Sequence, residues 1–341
     1  MCEENNGRVK KMMNVEIMKY VVNAYDNNEP TIGNFLIEKW NQTEGSLKLG
    51  RASANFIYNF DNGEQKQVLR IAPESERTEQ QILAELDFME YLQKKGFPVP
   101  KVILSKDNKR IEKLTTEMGS FFAVALQRCP GKIYELNELP HELFIEWGKL
   151  TATIHKLSLD YKPQNNRKRR TWIKDIITTT KYLPDNEFEL KGILLELVDQ
   201  INEFPKDENY GLIHYDLELD NILWNNGSYY VIDFDDSAYY HYIADLAFAL
   251  EELREQNPET EKQMLNGFIS GYKEIKSLPN DWLNQLDCFF SLMDILKYAR
   301  TLQAYENTNP EEDPQWLADL RKRHMKKLNE TKEKMIKKWN L

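Results

Sequence analysis

Apolar residues recur at helical spacing across residues 76–96, where Ile82, Leu83, Leu86, Met89 and Leu92 share one stripe and Gly96 stands just past its end. A shorter helical pattern covers 14–25. Between them the period drops toward that of strands: "GSLKLGRAS" (45–53), "ANFIYNF" (54–60) and "QVLRIA" (67–72) are extended, and the Asp-Asn-Gly turn in "DNGEQ" makes the last two a hairpin. Further strands are predicted near 101–116 and at "FFAVALQ" (121–127). After "RCPG" (128–131) the pattern becomes helical, with helices predicted over 141–157, 171–183, 189–204, 243–256, 261–275 and 282–305, and a charged one from about Pro314 onward. In this half the β signals are "NILW" (221–224) and "SYYVIDF" (228–234). The pattern predicts an α+β chain with a smaller β-rich lobe over 1–128, a hinge near 126–131 and a larger helical lobe over 129–341.

At 341 residues the chain is long enough for two such units, and 41% hydrophobic with 29% charged residues describes a folded chain rather than a disordered one. The net charge of −10 argues against general nucleic-acid binding and would suit a cationic ligand. The first residues lack the apolar centre of a signal peptide, and no apolar run approaches the roughly 18 residues of a membrane span, so a cytoplasmic location without a membrane is expected. Cys2, Cys129 and Cys288 are too scattered for a zinc site or disulfide framework and are expected as reduced thiols. "NRKRR" (166–170) is expected as a solvated face or loop.

The polar residues concentrate at "HYDLELDN" (214–221), and the following apolar strand ends in Asp233. Phosphoryl transfer from a nucleotide needs a divalent ion on the phosphates, a carboxylate to orient the attacking hydroxyl and a cation on the phosphate tail. Mg2+ takes oxygen ligands and needs only one or two carboxylates from protein. In the spacing H-x-D-x-x-x-x-N followed by a strand ending in Asp, Asp216 is the candidate base. Asn221 and Asp233 are then the candidate metal ligands, with His214 packing beneath the loop. The bland alternative is a polar turn between two strands, with Asp220 and Asn221 as turn formers.

"HYDLELDNILW", "YVIDFDDS" and "DLAFAL" together resemble the aminoglycoside phosphotransferase and choline kinase superfamily, whose members are small-molecule kinases with a two-lobed protein-kinase-like fold. The resemblance spans about residues 40–275 and implies further roles. "GRASANFIYNF" is similar to the loop and strand over the nucleotide phosphates, and "VLRI" to the strand carrying the phosphate-binding cation, here Arg70 rather than Lys66. Glu85 fits the glutamate that pairs with that cation. "FFAVALQRCPG" is similar to the hinge, so Leu126, Gln127, Arg128 and Cys129 are expected at the adenine. Gly148 and His155 match the first helix of the large lobe, and Asp245 the acid that braces the catalytic loop. Ligands of the family lie toward the late helices, which makes Asp236, Tyr239, Tyr240, Tyr242, Trp282, Tyr298 and Trp316 candidates at the acceptor.

The chain departs from the family pattern where Tyr215 replaces the usual glycine after the histidine, and where Gly50 alone serves a normally glycine-rich phosphate loop. Ser53 and Asn55 are expected to contribute there instead. Asp235, in the place of the last residue of the protein-kinase "DFG", either adds a metal contact or faces solvent. A P-loop fails because Arg51 and Ala52 stand where Lys and Ser or Thr are needed, and neither H-E-x-x-H nor G-x-S-x-G occurs. The expected activity is Mg2+-dependent transfer of the terminal phosphate of ATP, or GTP, to a hydroxyl of a small molecule of aminoglycoside, choline or homoserine type. The alternatives are a bacterial stress-type protein kinase, disfavoured by the absence of an A-P-E motif, and a non-catalytic scaffold on the same fold.

Overall fold

The computed structural model describes residues 12–206 and 208–340; Cys2 lies outside them. In chain order the helices α1 (Val15–Asp26) and α2 (Ile32–Ile37) precede strands β1 (Lys48–Ala52), β2 (Phe56–Asp61) and β3 (Lys66–Pro73). Helix α3 (Glu79–Lys94) and strands β4 (Val102–Ile103), β5 (Glu112–Thr116) and β6 (Gly119–Gln127) follow. The remainder comprises α4 (His141–Leu159), α5 (Trp172–Tyr182), α6 (Phe188–Asn202), β7 (Tyr210–Ile213), β8 (Ile222–Asn225), β9 (Ser228–Val231), β10 (Ala238–His241), α7 (Tyr242–Ala249), α8 (Pro258–Ile275), α9 (Trp282–Ala304) and α10 (Gln315–Trp339). The fold is α+β, a sheet-rich N-terminal region joined to a helical C-terminal one.

The six strands β1 to β6 form one antiparallel sheet in the order β1-β2-β3-β6-β4, with β5 also on β6. Alternation along β3 sends Leu69 and Ile71 to the face covered by α1 and α2, while Arg70 and Ala72 point toward α3. On β6, Phe121, Ala123 and Ala125 join the first face, and Phe122 and Val124 the second. The first forty residues, which carry no motif, thus cover one side of the sheet, with Met18, Val22, Leu36 and Trp40 buried against it.

Helix α3 starts at a capping box in which Thr78 and Gln81 satisfy each other's backbone donors, an arrangement of about 1 kcal/mol. Its inner face buries Ile82, Leu86, Met89 and Leu92, and also two acids, Glu85 and Asp87. Each acid meets arginine: Glu85 meets Arg70, and Asp87 meets Arg110 and Arg167. Buried carboxylates survive only with such partners.

Two short strand pairs that the hydrophobic pattern did not mark, or marked in part, hold the acid-rich loops. β7 pairs with β10, and β8 with β9. β7 and β10 are four-residue strands without alternation, so periodicity could not distinguish them from loop or helix. The helix expected over 243–256 is instead α7 followed by a 3-10 turn at Glu251–Glu255, a tightening that no Gly or Pro announces. Among the described residues no helix is long and apolar enough to cross a membrane.

Candidate functional site

The loop 214–221 runs between β7 and β8, and Asp233 lies between β9 and β10. The β8–β9 hairpin turns through Asn226 and Gly227, both at positive φ as a tight two-residue turn requires. Its register pairs Ile222 with Val231, and the amide of Ile232 donates to the Asn221 carbonyl at 3.0 Å. That pairing makes Asn221 and Asp233 neighbours although twelve positions separate them.

Asp245, fully buried in the first turn of α7, accepts from the amides of His214 (3.1 Å) and Tyr215 (2.7 Å) and from His155 Nε2 (2.9 Å). His155 Nδ1 in turn accepts from the Tyr272 hydroxyl at 2.8 Å. Burial lowers the pKa of His155 and keeps the ring neutral against the pull of Asp245, so the carboxylate is held by dipoles. His214 is likewise buried, with its pKa lowered by burial. Its Nε2 donates to the Ile232 carbonyl at 3.0 Å and its Nδ1 accepts from the Asp216 amide at 3.3 Å. The ring therefore fastens the two acid-bearing loops together from beneath, the packing role expected of it, and is not among the residues lining the cleft.

Tyr215 adopts φ 80, the left-handed conformation that a glycine would accept without strain. Its ring compensates by packing on Phe248 at 4.4 Å between centroids and lying under the guanidinium groups of Arg170 (4.7 Å) and Arg300 (5.0 Å).

Asp216 and Asp233 line one cleft together with Arg51, Ser53 and Asn55 from the small sheet. Asn221 Nδ2 donates to the carbonyl (2.7 Å) and Oδ2 (3.0 Å) of Asp216, which turns the amide oxygen of Asn221 away from Asp216. Arg70 and Glu85 form a buried bidentate pair at 2.6 and 2.8 Å, and Arg70 Nη1 lies 3.9 Å from Asp233 Oδ1. Burial alone would lower the pKa of Arg70, but the Glu85 carboxylate outweighs it and keeps the guanidinium charged. Asp233 sits at φ 65, and its side chain is 37% exposed while Oδ1 is enclosed without a hydrogen-bond partner. Burial and the charge of Asp235 push its pKa up to about 7, against the opposing pull of Arg70. Among the described residues no group of three or more His, Cys, Asp or Glu side chains forms a closed metal cage. An open Asp233 and Asn221 pair suits an ion that takes its other oxygens from phosphate and water.

Asp235 and Asp236 line the same cleft as Asp233, whereas several other predicted residues stand elsewhere. Asp235 is buried rather than facing solvent: its Oδ2 accepts from Asn55 Nδ2 at 2.9 Å and lies 3.6 Å from Arg77, so the carboxylate ties the loop carrying Ser53 and Asn55 to the turn after Asp233. Asp236 is gripped by Arg77 at 2.6 Å and faces Arg170 at 3.5 Å; burial would raise its pKa, but these arginines hold it down to about 2. Tyr239, Tyr240, Trp282, Tyr298 and Trp316 do not line the cleft. Tyr240 and Tyr298 are buried with their hydroxyls on Asp175 and Glu187, Tyr242 bonds Ser158, Tyr239 continues the strand pair, Trp282 packs at the start of α9, and Trp316 packs near α1. Leu126 to Cys129 lie at the end of β6, outside the residues lining this cleft, and burial raises the Cys129 pKa to about 11. Lys66, at the start of β3, is exposed.

A further wall of the cleft comes from α9, through Met293, Leu296, Lys297, Arg300 and Thr301. Family motifs did not reach this segment. A signal exists, however: positions 293, 296, 297 and 300 form one helical stripe on which Lys297 and Arg300 stand beside Met293 and Leu296. Burial works against the charge of Lys297, but Glu251 and Glu218 outweigh it. "NRKRR" leads into the loop before α5 but is not a solvated face, since Arg169 is 6% exposed and Arg170 stacks on Tyr215.

The sequence model of the phosphotransferase enzyme family matches residues 48–278. An amicoumacin kinase of Bacillus subtilis (strain 168) is 26% identical over 280 residues, covering 79% of this chain and 83% of that protein. In fold, the chain is similar to the solved structure of an amicoumacin kinase in complex with AMP-PNP, Ca2+ and Ami, with a TM-score of 0.77, 22% identity and coverage of 94% of this chain and 96% of that one. The structure of a microcompartment-associated aminopropanol kinase superposes with a TM-score of 0.68 at 22% identity, over 88% of this chain and 93% of that one.

Proposed function

The chain belongs to the phosphotransferase enzyme family, and on that premise we propose that it moves the terminal phosphate of ATP, with GTP as the second donor to test, to a hydroxyl of a small molecule. Residues 1–128 would hold the nucleotide and residues 129–341 the acceptor. The observation that carries the reading is one cleft lined by both Asp216 and Asp233, with the Arg70–Glu85 pair 3.9 Å behind Asp233.

The residues fit a divalent ion: Asp233 Oδ1 is enclosed without a hydrogen-bond partner, and burial together with nearby negative charge disfavours its ionised form until a cation arrives. Asp233 and Asn221 would hold Mg2+, which when bound neutralises phosphate charge. Asp216, whose Oδ2 is held by Asn221, would use its other oxygen to orient the acceptor hydroxyl and take its proton. Arg70, kept charged by Glu85, would face the phosphate tail, and Ser53 with Asn55 would line its path.

The acceptor wall carries both signs, Asp216 and Glu218 against Lys297 and Arg300. That favours a hydroxyl compound bearing an ammonium group together with carbonyl or amide oxygens over a simple polycation. Amicoumacin, on which the Bacillus subtilis relative is named as acting, is the first acceptor to try, and aminopropanol the second.

The test is a mass gain of one phosphoryl group on the acceptor with Mg2+ and either nucleotide. Asp216→Asn should lower kcat about 10²- to 10⁴-fold while leaving the nucleotide-induced rise in thermal midpoint in place. An Asp216→Asn enzyme with wild-type turnover would sink the mechanism.

A further inference from the structure

Arg169 lies in a segment that links α4 to α5, away from the cleft, and all four of its acceptors are main-chain carbonyls. Nη1 donates to Gln81 at 2.8 Å, in the first turn of α3. Nε donates to Ser237 at 2.8 Å, and Nη2 to Phe234 at 3.3 Å and to Asp235. One planar guanidinium therefore spans the helix that carries Glu85 and the turn that directly follows Asp233. Its five donors in a fixed fork are what makes this possible; a lysine offers three from a single point.

Two further observations give the bridge a purpose. Gln81 and Glu85 are one helical turn apart, so fixing the Gln81 carbonyl fixes the base of the Glu85 side chain. Asp233 is held at φ 65, a conformation that persists only when its surroundings over-determine it, and Arg169 grips the carbonyls of the next two residues. The neighbouring arginines act on other partners: Arg167 pairs with Asp87 on α3 at 3.1 and 3.2 Å, and Arg170 bonds Asp175 and the Asp236 carbonyl.

We propose that Arg169 is a positioning residue for phosphoryl transfer, locking the Asp233 turn to α3 so that the Arg70–Glu85 pair and the Asp233 carboxylate are presented to the nucleotide as one rigid unit. This rests on the kinase reading above. It places in the segment before α5 a control over metal and nucleotide geometry that touches neither.

The test is steady-state kinetics of the full chain, varying Mg2+, nucleotide and acceptor separately, with thermal midpoints recorded for every variant. Arg169→Lys and Arg169→Ala should lower kcat and raise the half-saturating Mg2+ concentration, each about 10- to 100-fold, with the acceptor KM unchanged. Added guanidinium ion should restore part of the rate of Arg169→Ala. Arg167→Ala, which leaves Asp87 paired with Arg110 and does not touch the Asp233 turn, should leave the Mg2+ dependence as in the wild type. A folded Arg169→Lys with wild-type kcat and Mg2+ dependence overturns the proposal. So does an equal loss in Arg167→Ala, or failure of both Arg169 variants to fold, since the residue would then support the whole chain rather than this turn. If the wild type binds Mg2+ and nucleotide but transfers nothing, the kinase reading fails, and the Mg2+-dependent midpoint shift of the Arg169 variants still decides the role of Arg169. A wild type that binds neither overturns both.

Discussion

At Asp233, exposure and strain meet in one residue: a left-handed backbone, one enclosed oxygen without a partner, and a pKa pushed up to about 7 by burial and by Asp235. Between the ordinary carboxylate range and about 7, the folded chain holds this proton more tightly than the unfolded one. The group's contribution to stability is therefore present at low pH and lost as pH rises through about 7. A cation bound there must displace the proton, so the Mg2+-dependent nucleotide shift of the thermal midpoint should grow up to about pH 7 and level off above it. Asp233→Asn should abolish that pH dependence; a shift equal at all pH values would remove Asp233 from the ion. Arg70 poses a different difficulty, because Arg70→Ala would leave Glu85 buried and unpaired, at about 3–5 kcal/mol. Arg70→Lys keeps the charge but loses the bidentate fork, and should raise the nucleotide KM about 10-fold, while Lys66→Ala on the exposed start of β3 leaves it unchanged. Equal effects of the two would withdraw the assignment of Arg70.

At the level of elements, the helical region depends on the close crossing of α4 and α8. A Cβ on Gly148 would come within 1.9 Å of the Phe268 carbonyl oxygen, and one on Gly271 within 1.9 Å of that of Ile145. The two backbones touch, which brings His155 on α4 within hydrogen-bond distance of Tyr272 on α8 and carries the support up to Asp245. Gly148→Ala must push the helices apart and should cost about 1–3 kcal/mol, lowering the thermal midpoint by about 1–4 °C. Gly192→Ala in α6, where a Cβ would meet nothing within 4 Å, should be neutral or stabilising by up to about 1 kcal/mol. Identical midpoints for the two alanine variants would show that the crossing tolerates a side chain. The same pairing of elements shapes the cleft: α9 packs against α7, α5 and α6, and the stripe holding Lys297 and Arg300 faces the cleft.

Across the whole molecule, three of the four buried histidines share one electrostatic fate. Burial lowers the pKa of His155 and of His214, and that of His324, which meets Tyr305 Oη at 2.9 Å between α9 and α10, to about 4. A depressed folded pKa means stability that is present above the unfolded value of about 6.5 and lost as pH falls toward the folded one. The midpoint of the Asp233→Asn variant, which lacks the opposing carboxylate titration, should therefore fall as pH drops from about 6.5 toward about 4, and His324→Gln should flatten part of that slope. A slope unchanged by His324→Gln would show that this histidine is not charged on unfolding. Much of this molecule is legible from residue order, because local period and short spacing are properties of neighbours along the chain: the α3 stripe, the β2–β3 hairpin, the α+β division and the family membership of the 214–233 motifs. Meetings between distant segments depend instead on packing. Asp235 turning to Asn55 180 residues away, Arg169 buried under the Asp233 turn, and the aromatic candidates Tyr240 and Tyr298 absorbed into the core were decided there. A charged or aromatic residue has the same letter whether it faces water, a ligand or a buried partner, and only the assembled fold selects which desolvation is compensated.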